Sequence, residues 1–307
     1  DFVKKRKVYY IISSTIKVLG IVALFVFKLN LSIDFTSGTR LEITSDQALT
    51  KEQIELDIKE VGINSDDIVL SGDNNEIAVV RTVDEDLAKE EVLEVKAFFK
   101  EKYGHDPNIS TVSPTVGKEL AKNALLSVLI ASVGIILYVS IRFEWRMGLP
   151  AVLALLHDAF FIIIVFSIFK IEVNLNFIAA VLTIIGYSIN DTIVTFDRVR
   201  ENMRKRRKIK TVAELEEIAN VSIRQTMVRT MNTIITVLLT VIALCIFGSE
   251  SIFTFSIALL IGMVCGVYSS IFIATQLWLD LKKKELQKKG ELITYVEKKK
   301  YSDEPQV

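Results

Sequence analysis

Residues 175–196 read LNFIAAVLTIIGYSINDTIVTF. A helix needs about 20 mainly apolar residues to cross ~30 Å of hydrocarbon, and this run meets that requirement. It also carries Asp191. A charge at the centre of a span costs about 2.5–3.5 kcal/mol on insertion scales, so it demands a partner or a purpose. Five further stretches have the same apolar character: residues 8–27, 120–139, 149–169, 226–247 and 252–277. The expected fold is therefore a membrane α-helical protein with six transmembrane helices.

Lys and Arg collect at every second connection. They precede the first span (Lys4, Lys5, Arg6, Lys7), separate the second from the third (Arg142, Arg146), crowd the stretch 198–224 and follow the sixth (Lys282, Lys283, Lys284). The short alternate connections, 170–174 and 248–251, lack this excess. Basic loops stay inside, so both termini are expected in the cytoplasm. The basic stretch 198–224, amphipathic near 212–219, is expected as a cytoplasmic loop lying on the anionic inner leaflet. The chain opens on Asp1 rather than Met, which reads as a start inside a longer gene product. Its first apolar run is too long for a signal peptide and reads as a retained anchor.

Composition agrees with this sorting. Half of the 307 residues are hydrophobic, 24% are charged and the net charge is zero; mean hydropathy is +0.39. No overall field argues for nucleic acid. Cys245 and Cys265 sit in apolar runs and read as small core residues. The only two histidines, His105 and His157, lie far apart in sequence, so a His/Cys zinc site is not expected. No phosphate-binding Gly-rich loop and no Gly-x-Ser-x-Gly elbow is present. An enzyme is the least favoured class, and no cofactor is expected.

The expected domains are the N-terminus and first span at 1–29, an outer domain at 30–115, the remaining spans at 116–279 and a basic cytoplasmic tail at 280–307. In the outer domain, 39–44 alternates as a strand. Thr50 opens a capping box for a helix with Ile54, Ile58 and Val61 on one face, closed by Gly62. Strands follow at 68–70 and 77–80, joined by a turn at 71–75. Asp84 is placed to cap a second helix with Ala88, Val92, Val95 and Phe99 inward, and 109–112 supplies a last strand. That order is βαββαβ, a ferredoxin-like α+β extracytoplasmic domain inserted between helices 1 and 2.

The residues that do not belong in lipid carry the functional reading. Asp191 lies near the cytoplasmic end of the fourth span, and Arg229 near the start of the antiparallel fifth, at similar depth. Thr226, Arg229, Thr233, Thr236 and Thr240 share one helical face. A carboxylate beside a guanidinium is pulled one way by charge and the other by burial, so a small rearrangement can move a proton. Asn190, Thr192 and Thr233 supply hydrogen-bonding groups, and His157–Asp158 adds a second ionisable pair in the third span. A static buried ion pair that only fixes helix packing is the alternative. Gly262 and Gly266 form a close-packing pattern in the sixth span.

These runs resemble the SecD/SecF family, specifically its SecF members. The matching stretches are IDFTSGT at 33–39, PTVGKEL at 114–120, RFEWR at 142–146, His157-Asp158, GYSINDT at 186–192, FDRVREN at 196–202 and RTMNT at 229–233. Ser32, Ser37 and Ser113 stand where the family commonly has glycine. The resemblance implies a relative of the resistance-nodulation-division exporters in the bacterial cytoplasmic membrane. It implies SecD, the SecYEG translocon and YajC as partners, preproteins as substrate, and a proton or sodium gradient as energy source. It also implies that Asp191 and Arg229 serve ion transport. Two other classes stay open: an ion-driven exporter of small molecules or lipids, and a scaffold that transports nothing. The scaffold tolerates Asp191→Asn; ion coupling does not.

Overall fold

The computed structural model describes residues 2–65, 67–72, 74–82, 87 and 89–293. In chain order, α1 (Arg6–Phe27) leads to a two-residue strand β1 (Asn30–Leu31) and a one-turn helix α2 (Ile33–Thr36). There follow β2 (Gly38–Thr44), α3 (Lys51–Glu60), β3 (Asp67–Ser71), β4 (Ile77–Thr82), α4 (Lys89–Tyr103) and β5 (Asn108–Val112). The chain then runs through α5 (Pro114–Arg142), α6 (Trp145–Ile168), β6 (Glu172–Val173), α7 (Leu175–Lys205), β7 (Lys208–Ile209) and α8 (Val212–Phe247). Last come α9 (Glu250–Ser269), a π-helical turn (Ser270–Ala274), α10 (Thr275–Lys289) and β8 (Leu292–Ile293). Among the described residues, six helices are long and apolar enough to cross a membrane, the sixth being the continuous run through α9, the π turn and α10. The count matches the sequence reading, and the chain is a multi-pass membrane protein.

The chain divides into two compact units. One takes in Leu29–Ile130 and Ile171–Ile178; the other takes in the described residues up to Lys28, Ala131–Lys170 and those from Ala179 on. In the first, an antiparallel sheet has the strand order β3-β4-β2-β5. The alternation of β2 turns Leu41 and Ile43 to one face, where they meet Ile54 and Ile58 of α3, Ala78 and Val80 of β4, and Val95 and Phe99 of α4. The expected faces of both helices are present; the part of the second that rests on Asp84 and Ala88 lies outside the described residues. The Gln53 N–H donates to Thr50 Oγ1 at 3.4 Å to start α3, and Gly62, at φ 76°, ends it. β1 and β6 pair in parallel, and Arg81 sits beside that junction, donating to Asn30 at 2.9 Å and to Asp67 at 2.5 Å.

The second unit is helical. Its core is built by α6, α7 and α9, whereas α1 and α8 leave most of their apolar surface exposed. Close approach depends on glycines: a Cβ on Gly20 would fall 2.0 Å from Ile164 Cδ1, so α1 meets α6 only without one.

The basic stretch 198–224 is mostly helical, with only 206–211 connecting the two helices. α7 continues to Lys205 and α8 begins at Val212, capped by Thr211 and Glu214 in a reciprocal capping box. The expected tail from 280 is likewise helical as far as Lys289. There Lys282 is buried against Glu285 (3.0 Å) and Glu144 (2.7 Å), and Lys283 meets Glu216 at 2.5 Å. Lys282 and Lys283 are paired and buried because α10 packs on α6 and α8.

Candidate functional site

The candidate residues expected from the sequence, Asp191, Arg229, His157 and Asp158, fall into two groups. The first centres on Asp191, half-buried on α7. It lines a cavity of about 20 Å³ together with Ser188, Thr233, Gly262 and Gly266, room for about one water molecule. Arg229 on α8 is near enough for its charge to act on Asp191. Among the described residues, however, no ion pair or hydrogen bond joins them. Arg229, Asn190 and Thr233 are each exposed, although Thr233 also lines the Asp191 cavity. The threonine stripe does not form a continuous path: Thr236 Oγ1 donates to Thr233 O at 2.8 Å and Thr240 Oγ1 to Thr236 O at 3.3 Å, each satisfied by its own helix.

The second group is buried and centres on Asp158 of α6. Ser188 Oγ donates to its Oδ2 at 2.6 Å and Ser269 Oγ to the same atom at 2.8 Å. Cys265 Sγ donates to Oδ1 at 3.3 Å, and His157 Nδ1 lies 3.4 Å from Oδ1. His157 and Asp158 are both at most 3% exposed. Three helices therefore converge on one carboxylate, and both of its oxygens are hydrogen-bonded. Gly266 allows this convergence, because a Cβ there would lie 3.3 Å from Ser188 Cβ and 3.7 Å from Asp158 Oδ2.

Ser188 belongs to both groups. It lies three residues before Asp191, on the same face of α7; it lines the Asp191 cavity and donates to Asp158. Thr192, expected to join the path beside Asp191, turns instead to the sixth span, where its hydroxyl meets Ser270 Oγ at 2.8 Å. Ser270 opens the π turn, and its carbonyl accepts from Thr275 Oγ1 at 3.0 Å. Such single π turns recur at functional sites. Ser188, Cys265, Ser269 and Ser270 were absent from the sequence-based candidates. The available signal was the spacing of four between Cys265 and Ser269, which puts two small polar residues on one helix face.

Known proteins share this arrangement of spans. The family described as "Protein export membrane protein SecD/SecF, C-terminal" matches residues 93–284, and the "SecD/SecF GG Motif" matches residues 22–49. The chain belongs to the SecD/SecF family. The protein translocase subunit SecDF of Bacillus subtilis is 58% identical over 94% of this chain, which spans 39% of that relative. The protein translocase subunit SecF of Alicyclobacillus acidocaldarius is 38% identical, with 94% of each chain covered. A crystal structure of SecDF from Thermus thermophilus, titled a translocon-associated membrane protein, superposes with a TM-score of 0.83 at 31% identity, covering 92% of this chain and 38% of that one. This chain thus matches whole SecF subunits and about two fifths of the longer SecDF proteins.

Proposed function

We propose that the chain is an accessory subunit of protein export. With SecD and the SecYEG translocon, it uses a proton or sodium gradient to promote preprotein movement across the bacterial cytoplasmic membrane. Relatives named as translocase subunits support the export role. The observation that carries the ion coupling is Ser188, whose hydroxyl ties the cavity wall beside Asp191 to the buried Asp158. A carboxylate at a cavity, a hydroxyl behind it and a second carboxylate beyond form a short relay. In it Asp191 exchanges the ion, Arg229 sets the field around it, and Ser188 and His157–Asp158 lie behind. Asn190, Thr192 and Thr233 border the route.

The reading places both termini in the cytoplasm and residues 30–115 on the far side. The order β2-α3-β3-β4-α4-β5 and the strand sequence β3-β4-β2-β5 support a ferredoxin-like domain there. The exposed apolar faces of α1 and α8 suit contact with lipid and with SecD. In cells carrying the full complex, Asp191→Asn is expected to leave the protein in the membrane and to stall export. Export at the rate of the unaltered protein would remove the ion-coupling role.

A further inference from the structure

The sequence treats Cys265 as a core residue and separates the two histidines widely. Folding brings Cys265 onto His157 and Asp158. The three side chains are buried, and one ligand atom from each lies within 4.8 Å of the others. The separations are 3.3 Å for Cys265 Sγ to Asp158 Oδ1, 3.4 Å for His157 Nδ1 to Asp158 Oδ1 and 3.7 Å for Cys265 Sγ to His157 Nδ1. A tetrahedral zinc ion with bonds of about 2.0–2.1 Å to N and O and about 2.3 Å to S holds its ligand atoms roughly 3.3–3.6 Å apart. The triangle of S, N and O therefore has the dimensions of one face of such a tetrahedron.

We propose that His157, Asp158 and Cys265 form a binding site for a single thiophilic divalent cation, zinc foremost, linking the third and sixth spans. Two features beyond the triangle support it. Asp158 Oδ2, the oxygen turned away from the other two ligands, is held by Ser188 at 2.6 Å and Ser269 at 2.8 Å, the outer support that orients a metal-binding carboxylate. The ligand set is also selective: a thiolate with imidazole suits zinc, whereas magnesium, calcium and sodium favour oxygen alone. Binding releases the thiol proton of Cys265 to solvent as the sulfur–metal bond forms. Three protein ligands leave the fourth position for water or a neighbouring hydroxyl. The inference does not rest on the export reading, since it concerns equilibrium binding. It bears on that reading all the same, because a metal on Asp158 occupies the inner carboxylate of the relay.

The test uses the full chain, purified in detergent, stripped with a chelator and titrated with Co²⁺, then with Zn²⁺ in competition. One cobalt per chain is expected, with a thiolate-to-cobalt charge-transfer band that zinc displaces. Cys265→Ala should abolish the band and Cys245→Ala should retain it. Ser269→Ala, which keeps all three ligands, should weaken binding by at least about tenfold. No band in the unaltered chain overturns the proposal. So does a band that survives Cys265→Ala, one lost with Cys245→Ala, or binding unchanged by Ser269→Ala.

Discussion

Replacing Ser188 with alanine removes one hydroxyl from a site where two serines do the same local work. Ser188 and Ser269 both donate to Asp158 Oδ2, at 2.6 and 2.8 Å, and both are at most 4% exposed. A hydrogen bond to a charged group contributes about 1.5–3 kcal/mol, and the surviving donor on the same oxygen puts each single loss near the low end, ~1.5 kcal/mol. That is about a tenfold change in an equilibrium or a rate. By stability alone, Ser188→Ala and Ser269→Ala should be equivalent, with similar shifts in thermal unfolding of the purified chain. They should differ in function, because only Ser188 also lines the cavity of Asp191. Export measured in cells carrying each variant in the intact complex is expected to slow about tenfold for Ser188→Ala, and less for Ser269→Ala. Equal export rates for the two, or full export with Ser188→Ala, would refute the idea that this hydroxyl links the carboxylates.

Three further outcomes follow from local geometry. Gly262→Ala would put a Cβ 2.3 Å from Ile184 Cδ1 and 2.9 Å from Ile162 Cδ1; overpacking of this kind costs about 1–3 kcal/mol, and an unchanged unfolding midpoint would contradict it. Ser37 holds φ 64° and ψ 170°, a region that suits glycine, so Ser37→Gly should stabilise the chain by about 1 kcal/mol or more; a lowered midpoint would count against this. In the unit that holds the four-stranded sheet, Lys102 titrates above its ordinary value because it is hydrogen-bonded to Asp57, and Tyr103 does so through burial first and then its hydrogen bond to Asp57. Both values are raised by folding, so their contribution to stability is complete below about pH 10 and fades as pH climbs through the folded values. Tyr103→Phe should make denaturant stability fall less steeply above about pH 10; an unaltered slope would contradict the assignment.

The spans were legible because lipid demands long apolar runs, and six such runs stand out whatever the tertiary packing. The strands and helices of the sheet-containing unit were legible from alternation at 39–44, from Thr50 and from Gly62. Of the charged extensions, the start of α8 showed only as the amphipathic stretch 212–219, and those of α7 and α10 did not show. Their residues are charged, so they end a hydropathy signal without ending a helix, and Thr211–Glu214 was the local sign that a helix restarts. The site was half legible. Asp191, Arg229, His157 and Asp158 stand out as charges in apolar runs. Their connections did not, because Ser188, Cys265 and Ser269 are small residues that look like ordinary packing until three helices bring them to one carboxylate. The expected meeting of Asp191 with Arg229 followed from depth alone. In the structure Arg229 sits one turn before Thr233, which lines the Asp191 cavity, and its charge reaches Asp191, while its side chain is exposed and makes no ion pair or hydrogen bond with the carboxylate.

Ion movement itself offers the most direct test of the coupling. The chain, assembled with SecD in sealed vesicles, can be given an imposed proton or sodium gradient while the vesicle interior is followed with an ion-sensitive dye. The account predicts uptake that depends on the assembled complex and disappears in Asp191→Asn with the complex intact. Uptake at the same rate in that variant, or none from the unaltered complex with either ion, would contradict it.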